Sequence, residues 1–72
     1  MPKLYSAREI IKALQRSGFF VVSQKGSHIK MRKIGEKTLT TIIPNHKEIA
    51  WGTFQSILEQ AQLTKQELED NM

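Results

Sequence analysis

The segment from residue 19 to residue 44 constrains the fold most, because three β-forming runs follow one another there with only glycine turns between them. The first run is Phe19-Phe20-Val21-Val22, and Lys25-Gly26 is the turn after it. A second turn at Gly35-Glu36 precedes a run rich in threonine and isoleucine, which ends at Pro44 because proline cannot donate to a sheet ladder. Three successive strands with short connections predict an antiparallel meander.

The middle run alternates in character, which is typical of a half-buried strand. From His28 onward, one face carries polar residues and the other carries apolar ones. The polar set is His28, Lys30 and Arg32, and the apolar set is Ile29 and Met31. The first run is almost wholly apolar, so we expect both of its faces to be partly covered. In the third run, Leu39, Thr41 and Ile43 fall on one side.

Helices are predicted on both sides of this meander. Ser6 and Glu9 form a capping box, and Gly18 is a left-handed stop, which together predict a helix over 7–17. A second helix should begin near Gly52-Thr53, with Thr53 as a cap, because Phe54, Ile57, Leu58 and Ala61 repeat at helical spacing. A capping box that begins at Thr64 predicts a short third helix over about 65–70.

The expected fold is therefore an α+β domain with the order α-β-β-β-α, a small α appended, and helices packed on one face of a three-stranded antiparallel sheet. The other face then meets water and carries the histidine and its neighbouring cations. This arrangement describes a double-stranded-RNA-binding-like fold. Residues 1–72 are expected to form a single domain, since a chain this short has room for one thin core.

The distribution of charge favours a polyanionic partner. Residues 1–47 contain ten Lys/Arg and two acids, a net charge of +8, whereas residues 48–72 carry a net charge of −4. The chain has no cysteine, which excludes disulfides and thiolate metal sites. No apolar run approaches a membrane span, so the sequence predicts a cytoplasmic protein that does not enter a membrane. A thin core leaves no deep pocket for a large cofactor, so no small-molecule cofactor is expected.

The stretch from Lys25 to Lys30 holds the candidate chemistry. A neutral histidine such as His28 suits proton transfer near neutral pH, and flanking cations suit a phosphate-bearing substrate. The alternative is a surface histidine on the solvated face of a hairpin. Gly26 is expected to adopt a positive φ beside the histidine. Ser27 either bonds a phosphate, orients the imidazole or stabilises the turn.

Two further aromatic side chains remain open. His46 is either a second proton-transfer group or only a cap for the helix that follows. Trp51 either stacks on a base or a partner side chain, or completes the core, and we favour the core. No cluster of acidic residues accompanies either histidine, so the sequence predicts no metal site.

These residues together resemble the HicA family of bacterial toxin endoribonucleases over nearly the whole chain. The motifs that carry the resemblance are Gly18-Phe19; Gly26-Ser27-His28 with Lys30; Pro44, His46 and Glu48-Ile49; and Gly52-Thr53 followed by Ile57-Leu58-Glu59-Gln60-Ala61. No single motif is specific, but all four occur in order. Two positions depart from the family pattern. Gln62 stands where a glycine is usual, so the end of that helix should differ, and Ile29 stands where a polar residue is frequent.

The resemblance implies a double-stranded-RNA-binding-like fold, cleavage of mRNA, and inhibition by a HicB-like antitoxin. It implies that His28 is catalytic, acting as general base on a ribose 2′-hydroxyl or as general acid for the leaving 5′-oxygen. Lys25, Gly26, Ser27, Lys30 and Arg32 would then contact RNA. Two other functions use the same residues: a non-catalytic RNA-binding module, in which His28 is incidental, and an interaction domain that serves only a protein partner.

Overall fold

The computed structural model describes residues 3–72 and has the predicted order of elements. Helix α1 is followed by strands β1, β2 and β3 and by helices α2 and α3. Their bounds are Ala7–Arg16 for α1, Phe20–Lys25 for β1, His28–Ile34 for β2, Thr38–Pro44 for β3, Trp51–Ala61 for α2 and Lys65–Glu69 for α3. The α+β fold with the order α-β-β-β-α is thus confirmed, and it is consistent with a double-stranded-RNA-binding-like domain.

The sheet is antiparallel with the strand order β1-β2-β3, so β2 is the central strand. Residues directly opposite each other in neighbouring strands point to the same face. His28 lies opposite both Lys25 of β1 and Pro44 of β3, and Met31 lies opposite Thr41. An irregularity between Val21 and Ser23 interrupts the pairing of β1 with β2. The register places His28 at one end of the sheet, next to the β1–β2 turn.

The core lies between one face of the sheet and the helices, as predicted. Ile29 and Met31 of β2 are buried on this face, and so is Ile43 of β3. Helices α1 and α2 both pack against β3. The core side chains of the helices are Ala7, Ile10, Ala13, Leu14, Phe54, Ile57, Leu58, Ala61 and Leu68. Because the alternation of β2 sends apolar residues to the helices, its polar residues are directed to the open face.

The expectation that the run from Phe19 to Val22 is partly covered on both faces is met at Phe19, which is buried in the core, but not along β1. All six residues of β1 are exposed, including Phe20, Val21 and Val22. The helices lie over β3 rather than β1, so that even Val21, which lies opposite the buried Met31, remains 46% exposed. Apolar character alone therefore did not predict burial in this strand, because the helices do not extend over it.

The start of α1 is fixed by the predicted capping box. The Ser6 hydroxyl accepts from the Glu9 N–H at 3.1 Å, and the Ser6 N–H donates to the Glu9 carboxylate at 3.0 Å. The hydrogen bond from the Ser6 backbone lowers the pKa of Glu9 below its ordinary value. Tyr5, directly before the cap, donates its hydroxyl to Glu69 of α3, and this hydrogen bond raises the pKa of Tyr5. The same corner thus ties α3 to the start of α1.

Helix α2 differs from the prediction at its start, and its end does not show the change that the departure at Gln62 predicted. It begins at Trp51 with Ala50 as the N-cap residue, so Thr53 lies inside the helix and is not a cap. At the other end, Gln62 adopts the left-handed conformation with φ 56°, and the Leu63 N–H donates to Leu58 O at 3.0 Å. This is the conformation that glycine adopts most readily at a helix C-terminus. Gln62 therefore keeps the glycine-type helix stop without the glycine.

Replacing Gln62 with Gly should stabilise the fold. A non-glycine residue in the left-handed region costs about 1–2 kcal/mol, and the greater freedom of glycine in the unfolded chain offsets about half of the gain. We expect the free energy of unfolding in urea to rise by about 0.5–1 kcal/mol. Gln55→Gly, at an exposed position in the middle of α2, is the matched control and should lose about 1 kcal/mol. Equal losses in both variants would contradict this account of the helix end.

Candidate functional site

His28 lies at the first position of β2, directly after a tight turn. Gly26 in that turn has φ +59°, as expected, and a Cβ there would meet nothing within 4 Å. The glycine is therefore needed for its backbone conformation and not for space. Because the turn ends at His28, this residue lies at the end of the sheet, where it is exposed to solvent.

The open face of the sheet is basic. Lys30 and Arg32 follow His28 on this face, and Lys25 lies opposite His28 in β1. The three strands contain no acidic residue. Lys25 is exposed, whereas Lys30 and Arg32 are half-buried among their strand neighbours. Within residues 3–72, the Arg32 Nε atom is buried without a hydrogen-bond partner, so an anion that reached it would satisfy an otherwise unpaired donor.

Apolar side chains lie at the far end of the same face. Phe20 is opposite Arg32 in the register, and Ile34 follows Arg32 along β2. Their exposed fractions are 45% and 68%. The open face therefore combines a basic end, near His28, with an apolar end. Soluble proteins usually cover large apolar side chains, so this exposed apolar end is notable.

His28 lines a cleft at the junction of the sheet and the start of α2. The cleft has a volume of about 520 Å³. Its walls are formed by His28, Ile42, Pro44, His46, Glu48, Ile49, Ala50 and Thr53. The cleft thus brings together the two histidines of the chain, which are 18 positions apart in the sequence. The sequence left His46 open as a participant, and the structure places it in the same cleft as His28.

Backbone hydrogen bonds hold the wall that carries His46. The Asn45 N–H donates to Ser27 O at 2.6 Å, and the His46 N–H donates to Pro44 O at 2.8 Å. From the other side, the Ala7 N–H at the start of α1 donates to His46 O at 2.9 Å. The segment between β3 and α2 is therefore fixed to both the hairpin turn and α1, although it has no regular secondary structure.

The N-terminus of α2 opens on the same cleft. Its N-cap residue is Ala50, whose methyl group cannot accept a hydrogen bond from the first N–H groups of the helix. Ala50 and Thr53 both line the cleft. The positive end of a helix dipole favours an anion, which agrees with the basic character of the adjoining sheet face. Sequence reasoning misses this feature, because it places Thr53 and not Ala50 at the cap of the helix.

The other two candidate residues, Ser27 and Trp51, do not line the cleft. Ser27 is exposed in the turn, and its carbonyl oxygen is the acceptor that binds Asn45. Trp51 is half-buried and packs against Tyr5 and Phe54, with ring centroids 6.0 and 5.3 Å apart, respectively. Its ring also lies 5.3 Å from Lys65 Nζ. Trp51 thus belongs to the edge of the core, as favoured, and not to the cleft.

Glu48 is the acidic residue of the cleft, and sequence reasoning did not assign it to the site. Only the resemblance contained a signal for it, as part of the Glu48-Ile49 motif. Among residues 3–72, no three His, Cys, Asp or Glu side chains are grouped closely enough to hold a metal ion. Over the same residues, no helix has both the length and the apolar character needed to cross a membrane.

Fold and cleft together define a small basic α+β domain with a solvent-accessible histidine pair beside a cationic sheet face. A family model described as HicA toxin of bacterial toxin–antitoxin matches residues 7–63 of the 72-residue chain. The chain therefore belongs to the HicA toxin family, and it is the toxin component of a toxin–antitoxin pair with a cognate antitoxin as partner. A search of curated proteins found no match.

Proposed function

We propose that this toxin is a metal-independent endoribonuclease that cleaves mRNA in the cytoplasm with His28 as a catalytic residue, and that a HicB-like antitoxin inhibits it. Residues 1–72 would act as one HicA-like toxin domain. The observation that carries the proposal is the position of His28, exposed at the mouth of a cleft and on the same sheet face as Lys30 and Arg32. An imidazole can transfer protons and cations can stabilise the developing negative charge, so RNA cleavage at such a site needs no metal ion.

The chemistry that His28 would perform is proton transfer. The 2′-hydroxyl of RNA is a nucleophile carried by the substrate, so the protein has only to remove its proton or to protonate the leaving 5′-oxygen. Neither step needs a metal ion. The exposure of His28 allows a ribose and its phosphate to approach the imidazole directly.

The residues around His28 would bind the RNA backbone. Lys25 lies opposite the histidine in β1. Lys30 and then Arg32 follow the histidine along β2 on the same face. These side chains would hold phosphates and stabilise the negative charge that develops on the reacting phosphate. Gly26 keeps the turn narrow, and the Ser27 hydroxyl is exposed at its tip, where it can donate to a phosphate oxygen.

A non-catalytic RNA-binding module is the alternative function. The same basic face would support it, because phosphate contacts require cations and no imidazole. The presence of His46 in the His28 cleft favours catalysis over this alternative, since simple backbone binding gives no reason to group two imidazoles.

The antitoxin would act by covering the open face. The basic end of this face suits an acidic surface on the partner, which would speed association, and the apolar side chains Phe20 and Ile34 offer area that a complex can bury. A partner that covered both ends of the face would also cover His28. Inhibition would then be steric, with RNA and antitoxin competing for the same surface.

The proposal predicts that His28→Ala abolishes RNA cleavage and growth inhibition while the fold is retained. The side chain is exposed and contributes nothing to the core, so the substitution removes the proton-transfer group alone. The pure wild-type protein should cleave mRNA in EDTA, and the variant should not. His28→Gln keeps hydrogen-bonding capacity at this position and should be equally inactive. Full toxicity of a folded variant would rule out the catalytic assignment. If the wild-type protein bound mRNA without cleaving it, the alternative function would be favoured.

RNA affinity should fall steeply with salt if Lys25, Lys30 and Arg32 contact phosphates. Each contact with single-stranded RNA contributes a slope of about −0.7 in a plot of log affinity against log salt, so three contacts should give about −2. Binding by inactive His28→Ala measures this slope without cleavage. Adding Lys30→Ala should reduce its magnitude by about 0.7, whereas Lys12→Ala, at an exposed position on α1, should leave it unchanged. A salt-independent affinity would remove the case for a phosphate-binding face.

The bound antitoxin should bury His28 and residues 25–32. Side-chain footprinting of the complex should show protection over this range, and added antitoxin should displace RNA from the inactive toxin. Ile34→Ser should weaken the complex more than Met72→Ser, because both side chains are exposed but only Ile34 lies on the open face. Undiminished RNA binding by the antitoxin complex would show that inhibition acts through a conformational change instead.

A further inference from the structure

The cleft beside His28 holds a second imidazole that the proposed reaction needs and that the fold does not otherwise use. We propose that His46 is the second proton-transfer group of the site, so that His28 and His46 form a general acid–base pair that leaves a 2′,3′-cyclic phosphate and a 5′-hydroxyl. This inference rests on the proposed ribonuclease function and deepens it.

The chemistry of RNA transesterification calls for two groups at one phosphorus. The 2′-oxygen loses its proton to one imidazole and forms a bond to phosphorus, while the bond from phosphorus to the 5′-oxygen breaks and that oxygen takes a proton from the other imidazole. Attacking and leaving oxygens lie on opposite sides of the phosphorus, so one side chain cannot reach both at once. The atoms balance without water and without any co-reactant, and the base and the acid have exchanged protonation states at the end.

The backbone fixes the two histidines relative to each other. Ser27 directly precedes His28, and Asn45 directly precedes His46. The Asn45 N–H donates to Ser27 O at 2.6 Å, so the residues before the two histidines are joined by a hydrogen bond. Both histidines line one cleft of about 520 Å³, a volume that can hold a phosphate and parts of its two riboses. The backbone positions of the two histidines are thus held beside one cleft, which an acid–base pair requires because proton transfer depends on position.

The structural role of His46 does not require an imidazole. Its carbonyl oxygen accepts from the Ala7 N–H at 2.9 Å and thereby completes the start of α1, but any residue has this carbonyl. Helix α2 has Ala50 as its N-cap, so the His46 side chain does not cap that helix. The side chain is exposed. Within residues 3–72, no hydrogen bond joins its imidazole to another residue. The imidazole is therefore available to a substrate.

Glu48 completes the polar lining of the cleft. It is exposed, it lines the same cavity two residues beyond His46, and it is the one carboxylate there. A carboxylate repels phosphate, so Glu48 is not a ligand for the scissile group. It is suited instead to accept a hydrogen bond from a ribose hydroxyl or from an imidazole N–H.

The test compares single-turnover cleavage of one RNA by the wild type, His28→Ala, His46→Ala and His46→Asn, with Lys37→Ala as control at the opposite end of the sheet. We expect both His46 variants to bind RNA normally and to cleave it about 10²–10⁴-fold more slowly. Lys37→Ala should cleave at the wild-type rate. Thermal unfolding of each variant reports whether it is folded, and the asparagine variant retains polarity where alanine does not.

A second substrate, with sulfur in place of the 5′-oxygen at the mapped cleavage site, identifies the acid. A thiolate leaves without protonation, so removing the acid should cost little on this substrate, whereas removing the base should remain as costly as before. Either His28→Ala or His46→Ala, but not both, should therefore regain activity. An RNA with 2′-deoxyribose on the 5′ side of the cleavage site should resist all of the proteins.

The outcomes separate the inference from the function on which it rests. If wild type cleaves and His46→Asn cleaves within threefold of it, or if neither histidine variant is rescued by sulfur, the acid–base pair is wrong while the ribonuclease remains. Products with a 3′-hydroxyl and a 5′-phosphate would also overturn the pair, because they require water as the nucleophile. If wild type cleaves no RNA, or if folded His28→Ala cleaves normally, the proposed function itself fails.

Discussion

Burial of one face of the sheet beneath α1 and α2 is the interaction on which the rest of this structure depends. Met31 and Ile43 are fully buried between the sheet and the helices, and Phe54 fills the space from the helix side. Because strand residues alternate, this burial decides where every polar residue of β2 points. A shift of β2 by one residue would bury His28 and Lys30 and expose Met31, at a large cost in free energy. The stability of the core therefore also fixes the register of the basic open face.

The two edges of the sheet differ in how far they are covered, and this difference affects where a partner can bind. The β3 edge is covered by α2: Gln60 Oε1 accepts from the Ile42 N–H at 3.1 Å and from the Thr41 hydroxyl at 2.8 Å. Thr41, the buried polar residue of the core, is satisfied by this contact. At the β1 edge, Phe20, Val21 and Val22 are exposed, and the irregularity at Val22 is the kind of feature that discourages uncontrolled pairing of edge strands. The exposed apolar side chains of the sheet thus lie at the β1 side and on the open face, and not at the β3 edge.

Local sequence signals predicted most of the fold. The capping boxes at Ser6 and Thr64 and the stops at Gly18 and Pro44 defined the element ends to within one or two residues. The errors arose where tertiary packing decides. The exposure of β1 depends on how far the helices reach across the sheet, and the start of α2 at Trp51 depends on how the chain leaves Pro44. Neither quantity is encoded in the pattern of a single segment.

The candidate site was predictable only in part, for the same reason. Alternation along β2 placed His28 with Lys30 and Arg32, which is a local property. The cleft, in contrast, is formed by segments that are far apart in the chain. It depends on the Asn45–Ser27 hydrogen bond and on the hydrogen bond between His46 and the start of α1. Pairing of His46 and Glu48 with His28 could therefore not be read from spacing.

The position of the cleft at the ends of elements also suits a chain of this size. A domain of 72 residues has little stability to spare, and burying a charged or titratable group would consume much of it. His28, His46 and Glu48 are all exposed, so they can take part in chemistry without that cost. Their precision comes from the backbone instead, through hydrogen bonds made by neighbouring residues whose own side chains are free to vary. A site built in this way can change its reactive side chains without weakening the core that holds them in place.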